Sequence, residues 1–458
     1  MRIDLILLTA LLAGCASVPG DAGFTDVRHG VAERLDQSVE WRRGGAEDAE
    51  ADARVQLLLA QPLSADSAVQ VALLNSRALQ AEYEELGVMQ ADVVQAGLLK
   101  NPTFGWSHLD GGGPGKTTWG VELDFLGLLL AAPRQRIENV RFKHTRLRVT
   151  QAVLRHAAET RKAWAEALAA VQTTGLLGQV NELAQVEADL AARQRKAGNI
   201  SERDLLLRQA FAAETRTAQL RAAETANAVR ERLNRLMGLG NQHAAWTLPP
   251  RMPGLPAEQP RFDDLENYGL RQRLDLQMVQ KEAEAFSTAL GLTRSTRFIN
   301  VLDLGVETET NVGEKRITGP TLRIELPIFD QGQARISKQE AQYRQSEMRL
   351  YDSVVVARSE IREAQQRLAT AWQTATEARE VLSPLRRRIV EQSALQYNGM
   401  LIGVYELLAA ARDQVNAAQV QITAVRDYWT ALADLQMAVG GKLPPESAAM
   451  AGQEGYKK

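Results

Sequence analysis

The chain has 458 residues, of which 45% are hydrophobic, 24% charged and only 5% aromatic. Its 54 basic against 56 acidic side chains give a formal charge of -2, which argues against a general nucleic-acid binder, since that needs a strongly basic face. A single cysteine excludes an intramolecular disulfide framework, a multi-cysteine zinc site and an iron–sulfur cluster, while length alone suggests about three domains.

The first segment is Arg2 followed by an apolar stretch from Leu5 to Leu12, too short to span a bilayer and of signal-peptide length. It ends in Leu12-Ala13-Gly14-Cys15. Small residues before a cysteine resemble the bacterial lipobox, where the peptide is cut ahead of the cysteine and the thiol is acylated. On that reading residues 1–14 are a lipoprotein signal peptide and Cys15 is the lipidated first residue of the mature chain. Ala16 after it, in place of an aspartate, gives an outer-membrane address. The other reading is a buried thiol in an uncleaved N-terminus. Residues 15–60 read as an N-terminal periplasmic extension. No later stretch offers eighteen consecutive apolar residues for a membrane helix, a test that a β-barrel would escape because its strands are short and alternating.

From residue 61 the chain repeats itself with a period of about 200 residues. A first repeat (61–247) holds a helix around Ser67–Gly97, a β-like stretch (101–125) and a long helical stretch (134–238). A Pro-rich linker (248–262) follows. A second repeat (263–441) holds a helix around Leu265–Thr293, a β-like stretch (298–328) and a long helical stretch (334–439), before a tail at 442–458. The landmarks Arg136 and Arg335, Gly198 and Gly399, and Gly238 and Gly440 correspond. Two copies of so long a unit exclude a solenoid.

Coiled-coil spacing marks the helices. The series Val354, Ala357, Ile361, Ala364, Leu368, Ala371, Ala375, Ala378, Leu382, Leu385, Ile389 alternates steps of four and three. A second series runs from Val404 through Leu408, Ala411, Val415, Ala418, Ile422, Val425 and Trp429 to Leu432. With breaks at Ala197-Gly198-Asn199 and Asn398-Gly399, each repeat ends in an antiparallel helical hairpin. Alanine seams bury little area, and at about 25 cal/mol per Å² an isolated hairpin would be weak, so further helices and oligomerisation are expected. Pro384 should bend its helix.

The β-like stretches alternate. Trp119, Val121, Leu123 and Phe125 oppose Thr118, Gly120, Glu122 and Asp124; Leu302, Leu304 and Val306 oppose Asp303, Gly305 and Glu307; Leu322, Ile324 and Leu326 oppose Thr321, Arg323 and Glu325. A strand around Thr103–Leu109 places Phe104 and Trp106 together. Turn-rich segments at 110–115 and 311–314 make two hairpins. Four strands are too few to close a barrel around a lumen, so the choice lies between a half-buried sheet on a soluble core and a barrel built from several chains.

In this order, twice and behind a lipobox, the residues resemble the outer-membrane efflux protein family, the TolC-like outer-membrane channel lipoproteins. The marks are the strand exit Leu326-Pro327-Ile328-Phe329-Asp330-Gln331-Gly332-Gln333-Ala334-Arg335, the break Tyr397-Asn398-Gly399 with Glu406-Leu407-Leu408-Ala409-Ala410, and the break Ala197-Gly198-Asn199-Ile200 with Asp204-Leu205. The resemblance implies a mainly α fold with a β-barrel part, formed as a homotrimer in the bacterial outer membrane. Four strands per chain would join one barrel and the helices would form a periplasmic tunnel. The helical tips would dock onto a periplasmic adaptor (membrane fusion protein) that belongs to an inner-membrane efflux pump. The function implied is a passive duct for small solutes, metal cations or drugs.

The resemblance also implies a periplasmic gate. The family's first acidic ring position falls on Glu406; the second falls on Ala409, where this sequence departs. A family tyrosine–aspartate contact maps to Tyr397 and Asp204, a charge-assisted bond worth about 1.5–3 kcal/mol. A second polar latch is lacking, since Arg203 would face Ile402. Gly198 and Gly399 supply backbone freedom at the turns. Asn199, Ile200, Met400 and Leu401 beside them read as an adaptor-contact surface or, alternatively, as surface buried within the trimer. A lumen lined by Glu122, Asp124, Asp303, Glu307, Glu309 and Glu325, with Arg323 the nearest compensating charge, would be water-filled and anionic. These carboxylates would either favour cations or only keep the face wet.

No catalytic constellation emerges. The histidines, His29, His108, His144, His156 and His243, lack metal-ligand spacing. His144 and His156 are expected on a long solvated helix. The Gly-rich segment Asp110-Gly111-Gly112-Gly113 opens no helix as a phosphate loop would and reads as a barrel loop. A non-enzyme without cofactor or metal is expected. The rival function is a lipid-anchored periplasmic coiled-coil scaffold or adaptor without a pore.

Overall fold

The computed structural model describes residues 18–111, 113–240, 245–311, 313 and 315–445. Cys15 and its signal peptide, the loop residues Gly112, Val312 and Glu314, and the tail after Pro445 lie outside the described residues. Helices α1 (Phe24–Leu35), α2 (Ala46–Leu59), α3 (Ala65–Asn75) and α4 (Arg77–Gly97) lead to strands β1 (Thr103–Gly111) and β2 (Gly113–Asp124), then to helices α5 (Phe125–Lys196) and α6 (Glu202–Leu236). The order recurs as α7 (Leu265–Gln272), α8 (Leu274–Thr296), β3 (Leu302–Asn311), β4 (Ile317–Ile324), α9 (Gln333–Glu377), a π-turn (Ala378–Leu382), α10 (Ser383–Asn398) and α11 (Val404–Val439).

The duplicated order and both hairpin breaks stand where the sequence puts them, but four local expectations change. Helix α5 begins at Phe125, not near residue 134, because Asp124 accepts a 2.6 Å hydrogen bond from the Gly127 N–H and caps it; Phe125 is therefore helical, and Pro133 lies inside the helix. The strand expected to reach Leu326 stops at Ile324. The single helices expected before each sheet are pairs, interrupted at Ser76 (ψ 117) and Arg273 (ψ 124), both in extended conformation. Pro384 sits in the first turn of α10, directly after the π-turn, so the long helix expected to run through it is divided there.

The two interruptions do the same job. Gly238 and Gly440 close α6 and α11 in left-handed conformation, φ 66 and 92. A Cβ on Gly238 would stand 2.6 Å from the Asn75 carbonyl oxygen, and one on Gly440 would stand 2.9 Å from that of Gln272. Side chains of the interrupted helices then satisfy the free carbonyls: Asn75 Nδ2 donates to Met237 O (3.0 Å) and Gly238 O (2.8 Å), and Arg273 Nη1 donates to Ala438 O (3.1 Å).

The compact units do not follow the repeats. Among the described residues, one comprises 18–27, 81–150 and 274–355; the other comprises 28–80, 151–273 and 356–445, so each contains parts of both copies. In the second unit the core of the first copy gathers Leu63, Val71, Leu74, Trp164, Leu168, Leu233 and Trp246. Its two indoles are tied, Trp164 Nε1 to Leu63 O at 2.7 Å and Trp246 Nε1 to Asn234 Oδ1 at 2.8 Å. Helix α2 adds Val55 and Leu59 to this core, so the segment read only as an extension is folded into the protein. The second copy builds the corresponding cluster from Phe262, Leu265, Ile361, Leu368, Tyr428, Leu435 and Val439. His156 is not on a solvated face: its Nε2 donates to Leu236 O at 2.8 Å, and burial lowers its pKa, holding the ring neutral. In the first unit Phe24 meets Tyr83 edge-on at 5.0 Å, and Asp26 pairs with Arg146.

Seam burial is partial. Ala357, Ile361, Ala364, Leu368, Ala375 and Ala378 are buried as the heptads require, whereas Leu385 and Ile389 beyond the π-turn are 52% and 45% exposed. In α11 the buried stripe is Ala417, Ala424, Tyr428, Ala431 and Leu435, next to the expected series, whose members are half-buried. A broad apolar face that meets more than one neighbour explains why a single seam misjudged it.

Replacing Gly238 or Gly440 by valine is expected to cost well over about 1 kcal/mol, combining φ strain with backbone collision. Apparent melting temperature checks it, and an unchanged value would contradict the capping role.

Candidate functional site

The four strands form one antiparallel sheet in the order β1-β2-β3-β4. Trp106 pairs with Trp119, Phe104 with Val121, Val121 with Val306, and Leu304 with Leu322, so apolar side chains fill one face. That face is bare: Phe104 is 68% exposed, Trp106 64% and Leu322 62%. Strands β1 and β4 are edges, each with one row of backbone groups unpaired within the chain. The 12 residues of β2, at ~3.3 Å each, can cross an apolar layer of ~25–30 Å even when tilted. Among the described residues no helix is long and apolar enough to cross a membrane.

The opposite face carries the carboxylates that the sequence picks out, and the structure gives most of them partners. Arg323 Nη2 lies 2.7 Å from Glu122 Oε1 and its Nη1 lies 3.9 Å from Asp303 Oδ2. Lys116 Nζ pairs with Glu309 Oε2 at 2.8 Å, and Lys100 Nζ with Asp124 Oδ2 at 2.9 Å. Glu325 lies beyond the end of β4 and accepts a 3.2 Å bond from Asn300 Nδ2. Glu307 has no ion pair among the described residues. The charged face is thus patterned with ion pairs and is less anionic than a list of its acids suggests. Gly305 stands opposite Glu122 in the register; a Cβ there would lie 2.5 Å from the Val121 carbonyl oxygen, so the crowded charged face admits no side chain at this point.

The hairpin turns differ from expectation in one instructive way. Both use the same closing bonds: Asn199 N donates to Gln194 O and Leu401 N to Gln396 O, each at 2.9 Å. In the first turn the left-handed residue is Gly198, φ 77, but in the second it is Met400, φ 59. Gly399 has an ordinary φ of -79 and so does not supply the freedom assigned to it. Met400 and Leu401 are 93% and 77% exposed, Asn199 is exposed, and Ile200 is half-buried rather than exposed. Glu406 is exposed in the first turn of α11.

Within the chain Tyr397 and Asp204 are not hydrogen-bonded to each other. Asp204 serves the start of α6: the Ser201 hydroxyl donates to its Oδ2 at 2.7 Å, and the Asp204 N–H donates to Ser201 Oγ at 3.1 Å. The Ser201 hydroxyl bond lowers the Asp204 pKa, so the carboxylate is ionised at neutral pH. A different tyrosine joins the hairpins. Tyr405 Oη donates to Gln194 Oε1 at 2.5 Å, and its ring lies 4.2 Å beneath the guanidinium of Arg208, which also pairs with Glu187 at 2.7 Å. Burial raises the Tyr405 pKa while Arg208 pulls it down, leaving the phenol a donor. Arg412 over Phe211, at 5.1 Å, adds a second contact between the hairpins. Sequence reading missed this cluster because its members come from three helices, and only the pairing of the hairpins brings them together.

No protein-family model and no curated protein matches the chain. Solved structures do. The outer-membrane channel OprN superposes with a TM-score of 0.68 at 18% identity, covering 88% of this chain and 94% of that one. The Campylobacter jejuni CmeC outer membrane channel gives a TM-score of 0.71 at 15% identity, with 93% of each chain covered. The open state of the Neisseria gonorrhoeae MtrE outer membrane channel gives 0.65 at 17%, covering 85% and 89%. The chain therefore has the fold of the TolC-like outer-membrane efflux channels.

Met400→Gly should remove the cost of a side chain in the left-handed region, about 1 kcal/mol, and slow amide exchange in the second turn. Faster exchange would show that Met400 is not strained there.

Proposed function

We propose that this protein is the outer-membrane channel of a tripartite efflux system, a passive trimeric duct anchored by lipid at Cys15. The observation that carries this reading is the sheet, with a bare apolar face, an ion-paired charged face and two open edges. In water such a face and such edges would be a liability. Three copies joined edge to edge would remove the edges and give about twelve strands, beyond the roughly eight whose side chains fill their own interior. The apolar face then meets lipid and the charged face lines water. Likeness in fold to outer-membrane channels supports the same reading.

The hairpin tips would dock a periplasmic adaptor through Met400 and Leu401, with Gly198, Asn199, Ile200 and Gly399 shaping the turns. An exposed methionine kept in a strained conformation is hard to explain by folding and easy to explain by contact. Closure in this reading rests on two layers. Tyr405, Gln194, Arg208 and Glu187 hold one chain's hairpins together. Tyr397 and Asp204 would meet between neighbouring chains, and Glu406 would form the acidic ring. The solute is small and is delivered by an inner-membrane pump, with metal cations and drugs both compatible with the duct.

Planar-bilayer recording of the purified full chain tests the proposal: conductance by a detergent-extracted trimer is expected, and a non-conducting soluble monomer would overturn it. In a salt gradient the reversal potential should indicate a modest cation preference. Arg323→Gln, which frees Glu122 and Asp303, should increase it, and Glu307→Gln should reduce it; anion preference in the unmodified channel would refute the lumen assignment. Tyr405→Phe removes a bond worth about 1 kcal/mol per chain and should raise the open fraction several-fold. An unaltered open fraction would remove Tyr405 from the gate.

A further inference from the structure

Outside the sheet's apolar face, exposed apolar side chains of the first unit gather where strands meet helices in both copies, apart from a separate run at Met348, Tyr351 and Val355 within α9. Leu99 and Ile299 lead into β1 and β3 and are 50% and 45% exposed. Leu129 and Phe329 follow β2 and β4 and are 56% and 93% exposed. Each pair is about 200 positions apart, the period of the duplication. The preceding residue is also apolar and exposed in every case: Leu98, Phe298, Leu128 and Ile328, at 41 to 68%. Chance exposure of a single leucine needs no explanation, but the same exposure at four equivalent junctions does.

Cations border this collar. Arg297 precedes Phe298 with its guanidinium 4.2 Å from the ring centroid. Arg134 and Arg136 follow Leu129 on α5, about 8–11 Å further along the helix at ~1.5 Å per residue. None of the three has an ion pair among the described residues, whereas their basic neighbours do: Lys100 pairs with Asp124 and Arg294 with Glu340. Asp330, the nearby acid after Phe329, accepts the Gly332 N–H at 2.8 Å. Apolar residues at the strand ends, followed by guanidinium groups with no ion pair among the described residues, is the order in which a bilayer presents hydrocarbon and then phosphate.

We infer that this collar is a lipid-binding surface: the four junctions sit in the membrane boundary, and Arg134, Arg136 and Arg297 bind the phosphates of anionic glycerophospholipids. The inference rests on the channel reading and adds to it the depth of the sheet in the bilayer and the headgroup class at its edge.

The full chain carrying a bimane label at Phe329→Cys, or at Val121→Cys on the sheet face, is reconstituted in vesicles of phosphatidylethanolamine and phosphatidylglycerol. Either lipid is supplied with brominated acyl chains. The label at 329 should be quenched several-fold more by brominated phosphatidylglycerol than by brominated phosphatidylethanolamine, and the triple variant Arg134→Gln, Arg136→Gln, Arg297→Gln should bring the two to parity. Equal quenching by both lipids in the unmodified chain would overturn the headgroup assignment. No quenching at 329 with strong quenching at 121 would show the collar covered by protein, a second copy or a partner, and overturn the inference while leaving the channel intact. No quenching at either position would instead remove the channel reading itself.

Discussion

Alanine packing is the constraint on which the hairpins depend. Small side chains at Ala357, Ala364, Ala375, Ala378, Ala417 and Ala424 let helices approach closely, but each removes little apolar surface from water. The free energy that holds a hairpin must then come from elsewhere. It comes from the clusters built around Trp164, Trp246 and Tyr428, where the indole nitrogens of Trp164 and Trp246 are hydrogen-bonded inside the core. The turn ends receive no such support, and no residue of α10 is buried. Their order rests on a handful of polar contacts, so the turns can open locally at lower cost than the clusters at the base.

The sheet solves a different problem with the same economy. Its apolar side is specified by the period-two alternation, and its charged side is held by pairs that reach across strands. Arg323 crosses β3 to Glu122 because Gly305, which faces Glu122, has no side chain in the way. Charge in such a face is structural. Each pair fixes the strand register, and a one-residue slip would bring carboxylates to the apolar side.

Much of this is legible in the sequence because periodicity survives translation into structure. The strands, the duplicated order and the hairpin breaks all announce themselves through spacing of two, of three and four, or through glycine. What escapes is set by tertiary contact. Ser76 and Arg273 carry no helix-breaking chemistry of their own; the helices stop there because a glycine cap from another helix occupies the space. Gly399 resembles Gly198 as a letter, but the left-handed position has moved by one residue to Met400. Tyr405 was invisible because its partners, Gln194 and Arg208, lie about 200 positions earlier in the chain. Cys15 lies outside the described residues.

The π-turn at Ala378–Leu382 adds one residue to a helical turn. The first hairpin has no counterpart, since α5 runs unbroken from Phe125 to Lys196. An inserted residue turns everything after it by roughly 100° about the helix axis. The heptad written through Leu385 and Ile389 continues in the sequence, yet their side chains rotate away from the seam that Ala375 and Ala378 occupy. Gene duplication yields two identical hairpins, and identical hairpins can only take equivalent neighbours. One extra residue breaks that equivalence: beyond it the second copy leaves Leu385 and Ile389 half in water, where an uninterrupted heptad would have buried them.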